Sequence, residues 1–105
     1  MNNKFTEREK SFEKKFAQDE ELQFKVQARS NKYIGEFVSQ KINMSEDEKK
    51  KYVQEIIKAD MEESGTEDVF RKIKKDFEKA SIIVDDKEIR DQMEKALIRA
   101  KEDFK

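Results

Sequence analysis

Asp60, Glu62, Ser64, Gly65 and Asp68 stand at the first, third, fifth, sixth and ninth positions of a calcium-loop pattern between two apolar-striped segments. The chemistry would be coordination of a hard divalent cation by oxygens, with glycine at the sharp turn. The twelfth position needs a bidentate carboxylate, but it holds Arg71, whose charge would repel the metal. The same residue types serve equally as helix caps and first-turn acids, so no metal is expected. Catalytic carboxylate pairs need opposed environments in one cleft, and densely charged helix faces create such pairs by chance. Cysteine and histidine are absent, which removes thiolate and imidazole ligands and the commonest nucleophile and general base. Gly35 is the only glycine before position 65, so there is no glycine-rich phosphate loop. Neither an enzyme nor a cofactor is expected.

Recognition by side chains is better represented. At about 100° per residue, Phe5, Phe12 and Phe16 fall within roughly 40° of one another, a narrow aromatic ridge on a helix. Glu9 and Glu13 flank it on one side, Arg8 and Lys15 on the other, so a groove could distinguish the two edges. Thr6 with Glu9 reads as a capping box opening this helix. Glu9 faces Glu13 and Lys10 faces Lys14 at i,i+4, each like-charge pair opposing the isolated helix by roughly 0.2–0.5 kcal/mol. Free in water, the segment is expected to be marginal or mobile. On spacing alone the plainer interpretation is favoured, in which this is the first helix of a bundle and its phenylalanines are core residues. A second feature is a polar cluster of Arg29, Asn31 and Lys32, which could line a pocket for a nucleotide or another phosphate; three such residues on a helix more often form its solvent face.

The elements that position these residues all read as helices. Proline is absent, glycine occurs twice, and Lys, Glu, Gln and Ala fill long stretches. Leu22 lies about 100° from the phenylalanine ridge, so the register breaks after Gln18. Asp19, Glu20 and Glu21 suit the first turn of a new helix, where carboxylates complement the dipole. Leu22, Val26, Tyr33 and Phe37 continue its apolar face, widened by Ile34, Val38 and Ile42. Asn43 is a C-terminal cap, and Ser45 with Glu48 forms a capping box. The next helix is expected to bury Tyr52, Val53, Ile56, Ile57 and Met61 and to end in a left-handed Gly65. Thr66, Glu67 and Asp68 start another, with a stripe of Val69, Phe70, Ile73, Phe77 and Ala80. Residues 81–84 are too short for an unpaired strand and read as a buried connection. Asp85 with Glu88 is a further capping box, opening a last helix with Ile89, Met93, Ala96, Leu97, Ala100 and Phe104 inward. Four helices from Asp19 onward, joined by short loops, suggest an antiparallel bundle with the first segment as an addition to it.

Composition narrows the partners. The chain has 105 residues, enough for one core, and 47% of them are charged. Leu, Ile, Val and Phe still reach about 23%, and the net charge is only −1, so narrow apolar stripes on charged helices fit better than disorder. Balanced charge gives no large field of one sign, and no nucleic-acid or anionic-membrane partner is expected. No run approaches the length of a membrane span and no apolar leader is visible, which suggests a cytoplasmic protein.

REKSFEKKFAQDEELQFK at residues 8–25, ARSNKYIG at 28–35 and EESGTEDVFRKIKKDF at 62–77 together resemble the inhibitor subunit zeta of alphaproteobacterial rotary ATP synthases. The most specific stretch is REK-x-FE-x-KFA-x-DEEL at residues 8–22. The resemblance implies an all-α fold, an antiparallel four-helix bundle (19–105) preceded by an inhibitory helix (1–18). That helix would wedge into a catalytic interface of the synthase head and block rotation in the ATP-hydrolysing direction. It also implies membrane association only through the synthase. Matching positions for partner binding are Arg8, Glu9, Lys10, Phe12, Glu13, Lys15, Phe16, Ala17, Asp19, Glu20, Glu21 and Leu22, with Phe5 at a usual aromatic position. Ser30 stands where a second arginine is expected, Phe37 where tryptophan is common, and Ser64 where proline often precedes the glycine. The resemblance reverses the weighting made on spacing alone: Phe5, Phe12 and Phe16 become anchors for a partner. The competing class is a helical sensor that binds a nucleotide near Arg29 and Lys32.

Overall fold

A single residue separates the first two helices. In the computed structural model, which describes residues 3–62 and 66–105 and side chains from Lys10 onward, α1 (Asn3–Gln18) stops just before Asp19 and α2 (Glu20–Ile42) starts just after it. Asp19 is extended, at φ −106° and ψ 102°, and its carboxylate accepts from the Leu22 N–H at 3.1 Å. It is therefore the N-cap of α2, with Glu20 and Glu21 in the first turn as dipole partners. Hydrogen bonding nevertheless runs through the junction. The Asp19 N–H reaches the Lys15 carbonyl at 2.8 Å and the Gln23 N–H reaches the Asp19 carbonyl at 3.0 Å, so the break is a kink and not a linker. The expected Thr6–Glu9 box does not open α1, which already begins at Asn3.

The remaining elements are α3 (Glu46–Glu62), α4 (Glu67–Lys79) and α5 (Asp86–Asp103), and the described residues contain no strand. The turn from α2 to α3 carries both of its expected devices. Asn43 is left-handed at φ 66°, with its N–H on the Ser39 carbonyl, and Ser45 and Glu48 exchange side-chain to backbone bonds of 3.2 and 3.3 Å. Other caps differ from expectation. Thr66 and Asp85 occupy N-cap positions without a side-chain capping bond, and Glu88 pairs with Lys41 across the bundle at 3.2 Å instead. Gly65 lies outside the described residues.

α2 is the axis of the molecule. It neighbours every other helix, and its buried face carries Val26, Ser30, Asn31, Ile34, Gly35, Val38 and Ser39. Ile34 and Val38 join Tyr52 and Ile56 of α3, Val69, Phe70, Ile73 and Phe77 of α4, and Ile89, Met93 and Ala96 of α5 in one core. Polar contacts set the directions. Arg29 in the first half of α2 meets Asp103 at the end of α5, whereas Lys41 at the end of α2 meets Glu88 near the start of α5. Likewise Glu67 and Lys74 of α4 meet Arg90 and Asp86 of α5 in reverse order. At the α2–α3 crossing, a Cβ added to Gly35 would lie 2.5 Å from Val53 Cγ2. Helices that close can approach only where one residue is glycine.

Two stripe residues and one residue of the connection expected to be buried are exposed instead. Met61, in the last turn of α3, is 72% exposed, and Ala80 is an exposed C-cap, past the end of α4. Within residues 81–84, Ile82 and Val84 pack on the core, but Ile83 is 98% exposed, since alternate side chains of an extended connection face opposite ways. The body measures 50 × 28 × 24 Å. Its length fits a helix attached along one side only, as α1 is, its backbone neighbouring α2 alone among the described residues.

Candidate partner-binding surface

The ridge of α1 is assembled from residues four apart, which helix geometry stacks one turn above another. Phe12 and Phe16 lie with ring centroids 6.2 Å apart and planes inclined by 19°, an offset stack. Phe12 is only 8% exposed and Phe16 is half-buried. What covers them comes partly from the far end of the chain. Lys101 Nζ stands 4.6 Å from the Phe16 ring centroid and 3.5 Å from a Glu13 carboxylate oxygen, while Lys105 Nζ stands 5.8 Å from the Phe12 centroid. From α2, the Gln23 amide donates to the Phe16 and Ala17 carbonyls at 2.8 and 3.3 Å, satisfying acceptors that the end of α1 leaves open.

The other positions singled out in the sequence divide sharply. Lys10, Lys15, Ala17 and Glu20 are exposed, Leu22 is half-buried, and Glu21 pairs with Lys25 at 3.1 Å on the surface. Lys14, nearly opposite the ridge, is exposed as well. The side chains of Phe5, Arg8 and Glu9 lie outside the described residues. α1 is helical despite its like-charge pairs. The burial of Phe12 and the Lys101–Glu13 pair supply tertiary contacts that a free peptide lacks.

Arg29, Asn31 and Lys32 do not converge on a pocket. The Arg29 guanidinium points to the end of α5, 3.4 Å from Asp103 and 5.5 Å from the Phe104 ring centroid, and the Tyr33 hydroxyl donates to the same Asp103 carboxylate. Hydrogen bonding with Tyr33 and the charge of Asp103 hold this guanidinium's pKa above its ordinary value. Lys32 is exposed, beside Glu36 and the α3 lysines. Of the three, only Asn31 lines the cavity of about 250 Å³ between α2, the end of α3, α4 and α5, where its amide donates to Asp60 at 3.2 Å. The polar rim of that cavity includes the carboxylates of Asp60 and Glu94, and its one guanidinium, Arg90, is already held by both oxygens of Glu67 at 2.9 and 3.3 Å. Carboxylates around an engaged arginine disfavour a phosphate. Among the described residues no cluster of acidic side chains could hold a metal ion.

Sequence reasoning missed Lys101, Lys105 and the Arg29–Tyr33–Asp103 group. No local signal could have found them, because their partners lie at the opposite end of the chain. Among the described residues no helix is long and apolar enough to cross a membrane.

Comparison with known proteins brings one positive finding. The family model described as ATPase inhibitor subunit zeta matches residues 1–103, nearly the whole chain. A search of the curated proteins finds no match.

Proposed function

The chain belongs to the ATPase inhibitor subunit zeta family, and from that premise we propose that α1 is the inhibitory element, a helix that wedges into a catalytic interface of the ATP synthase head. Membership implies a regulatory protein associated with the ATP synthase. In the proposed arrangement, α2–α5 form an antiparallel four-helix bundle over residues 19–105 and carry residues 1–18 as a separable segment in the cytoplasm. Phe12 and Phe16 are its anchors, with Phe5 extending the ridge toward the N-terminus. Arg8, Glu9, Glu13 and Lys15 fix the rotation of the helix in its groove.

The mechanism is energetic. A catalytic interface of a rotary machine must change shape at each step, and a wedge bound to one shape must be expelled before the next is reached. The wedge's binding free energy therefore adds to that barrier. Buried aromatics supply most of such energy, about 2 kcal/mol or more each on truncation, while rim charges supply orientation.

The observation that carries this reading is the stacked Phe12–Phe16 pair on a helix that ends at the Asp19 cap and neighbours only α2 along its backbone. That construction lets α1 leave while the core of α2–α5 stays closed. The experiment is deletion of residues 1–18. The truncated protein should keep its cooperative unfolding and lose inhibition of ATP hydrolysis by the cognate synthase; inhibition equal to that of the full chain would remove α1 from the mechanism.

A further inference from the structure

The aromatic ridge that the proposed function assigns to a partner already has an occupant. Lys101 binds Glu13 by charge and lies against the face of Phe16, and Lys105 stands over Phe12. Their side chains are 24% and 19% exposed, so both are laid along the protein surface with their stems packed and their ammonium groups over the rings. The turn that carries them is itself fixed. Asp103 receives Arg29 at 3.4 Å and the Tyr33 hydroxyl, and Arg29 stacks 5.5 Å from Phe104. Arg29 and Tyr33 therefore hold the end of α5 against α2, and the end of α5 reaches over α1.

We propose that the C-terminal turn of α5 is a clamp that keeps α1 docked on its own bundle, so that Lys101 and Lys105 set how readily the Phe12–Phe16 face is released to a partner. This rests on the reading of α1 as the partner-binding segment. Phe12 cannot lie under Lys105 and in a partner's groove at the same time. The docked and partner-bound positions are mutually exclusive, and the apparent affinity for a partner falls by the fraction of protein whose α1 is released. The contacts are suited to a latch. One part-exposed ion pair and two lysine–ring contacts are individually weak, so the clamp biases α1 without locking it.

The test uses the full-length protein. Amide exchange at residues 10–18 is measured in the free wild type, Lys101→Ala, Lys101→Glu and, as a control on the exposed side of α5, Lys95→Ala. Lys101→Glu turns an attraction to Glu13 into a repulsion and should speed exchange at Phe12, Phe16 and Ala17 by about threefold to tenfold. Lys101→Ala should do so by less, and Lys95→Ala not at all, with the core amides of α3 and α4 unchanged in all three. The charge swap Glu13→Lys with Lys101→Glu should bring exchange back toward the wild-type rate. Half-inhibition of ATP hydrolysis by Lys101→Glu should need a proportionately lower protein concentration. Unchanged exchange in Lys101→Glu overturns the clamp, and so does failure of the charge swap to restore it. Faster exchange with an unchanged half-inhibition concentration overturns competition with the partner. If Lys101→Glu frees α1 but deletion of residues 1–18 leaves inhibition intact, the clamp stands and the partner reading of α1 falls.

Discussion

α1 and α4 are both short helices built on phenylalanine and charge, and they use their aromatic faces in opposite ways. α4 places Val69, Phe70, Ile73 and Phe77 in a core shared with three other helices, where Ile73 is fully enclosed and Phe37 meets Phe77 edge to face at 5.9 Å. α1 places Phe12 and Phe16 outside that core, against α2 on one side and the lysines of α5 on the other. The difference lies in what covers the rings. Apolar side chains from several helices make burial cooperative with folding; flexible ammonium groups make it reversible at small cost. A periodic stripe thus marks a face that will be covered, and the covering residues decide whether it is core or interface.

This contrast is sharpest for a pair of truncations. Ile73→Ala should destabilise the bundle by about 2–5 kcal/mol in chemical denaturation, the range for deleting a buried aliphatic side chain. Phe12→Ala should shift that transition by less than about 1 kcal/mol, since α1 can open locally, yet weaken inhibition by roughly thirtyfold or more. Equal stability losses for the two would place Phe12 in the folding core and abolish the distinction.

The next effect in size tests the bundle alone. Gly35→Ala should cost about 1–3 kcal/mol, because the added methyl meets Val53 Cγ2 at 2.5 Å and a β-branched neighbour has little rotamer freedom with which to yield. Inhibition by whatever remains folded should be unchanged. An inhibition loss exceeding the unfolded fraction would mean that the α2–α3 crossing also positions the wedge.

Smaller effects probe charge in each region. Arg8→Glu should weaken inhibition more than Arg8→Ala, since it sets a negative charge beside Lys15 on the flank that is otherwise positive, while exposed Lys14→Ala should change little. Inhibition curves that rank Lys14 with Phe12 would rule out the aromatic-ridge mechanism. In the bundle, hydrogen bonds from Arg90 and its charge hold the Glu67 carboxyl below its ordinary value of 4.5. A depressed folded-state pKa contributes stability that is present above the unfolded value and lost as pH falls through the folded one. Glu67→Gln should therefore lower the melting temperature slightly at neutral pH and flatten the acid limb below about pH 4.5, where variant and wild type converge. An undiminished acid limb would assign that loss to other carboxylates.

What the sequence determined by itself is local. The all-helical class, the break at Asp19, the left-handed Asn43 and the Ser45–Glu48 box are interactions between residues within a turn of each other, where one stretch of chain suffices to fix the geometry. The core stripes of α2 to α5 were legible for the same reason, since helix periodicity alone puts Ile34 with Val38 and Ile73 with Phe77. What only the tertiary structure decided is where each stripe ends and what covers it. Met61 and Ala80 have the apolar type that their stripes call for yet are exposed, Met61 in the last turn of α3 and Ala80 at the C-cap of α4. Glu88 matches a capping position but takes Lys41, since a cross-helix cation outcompetes its own backbone. Arg29 reads as part of a ligand pocket until Asp103 and Phe104 arrive beside it. Phe12 and Phe16 read as free for a partner until Lys101 and Lys105 lie against them, a meeting of the two ends of the chain that no local periodicity encodes and only packing around α2 brings about.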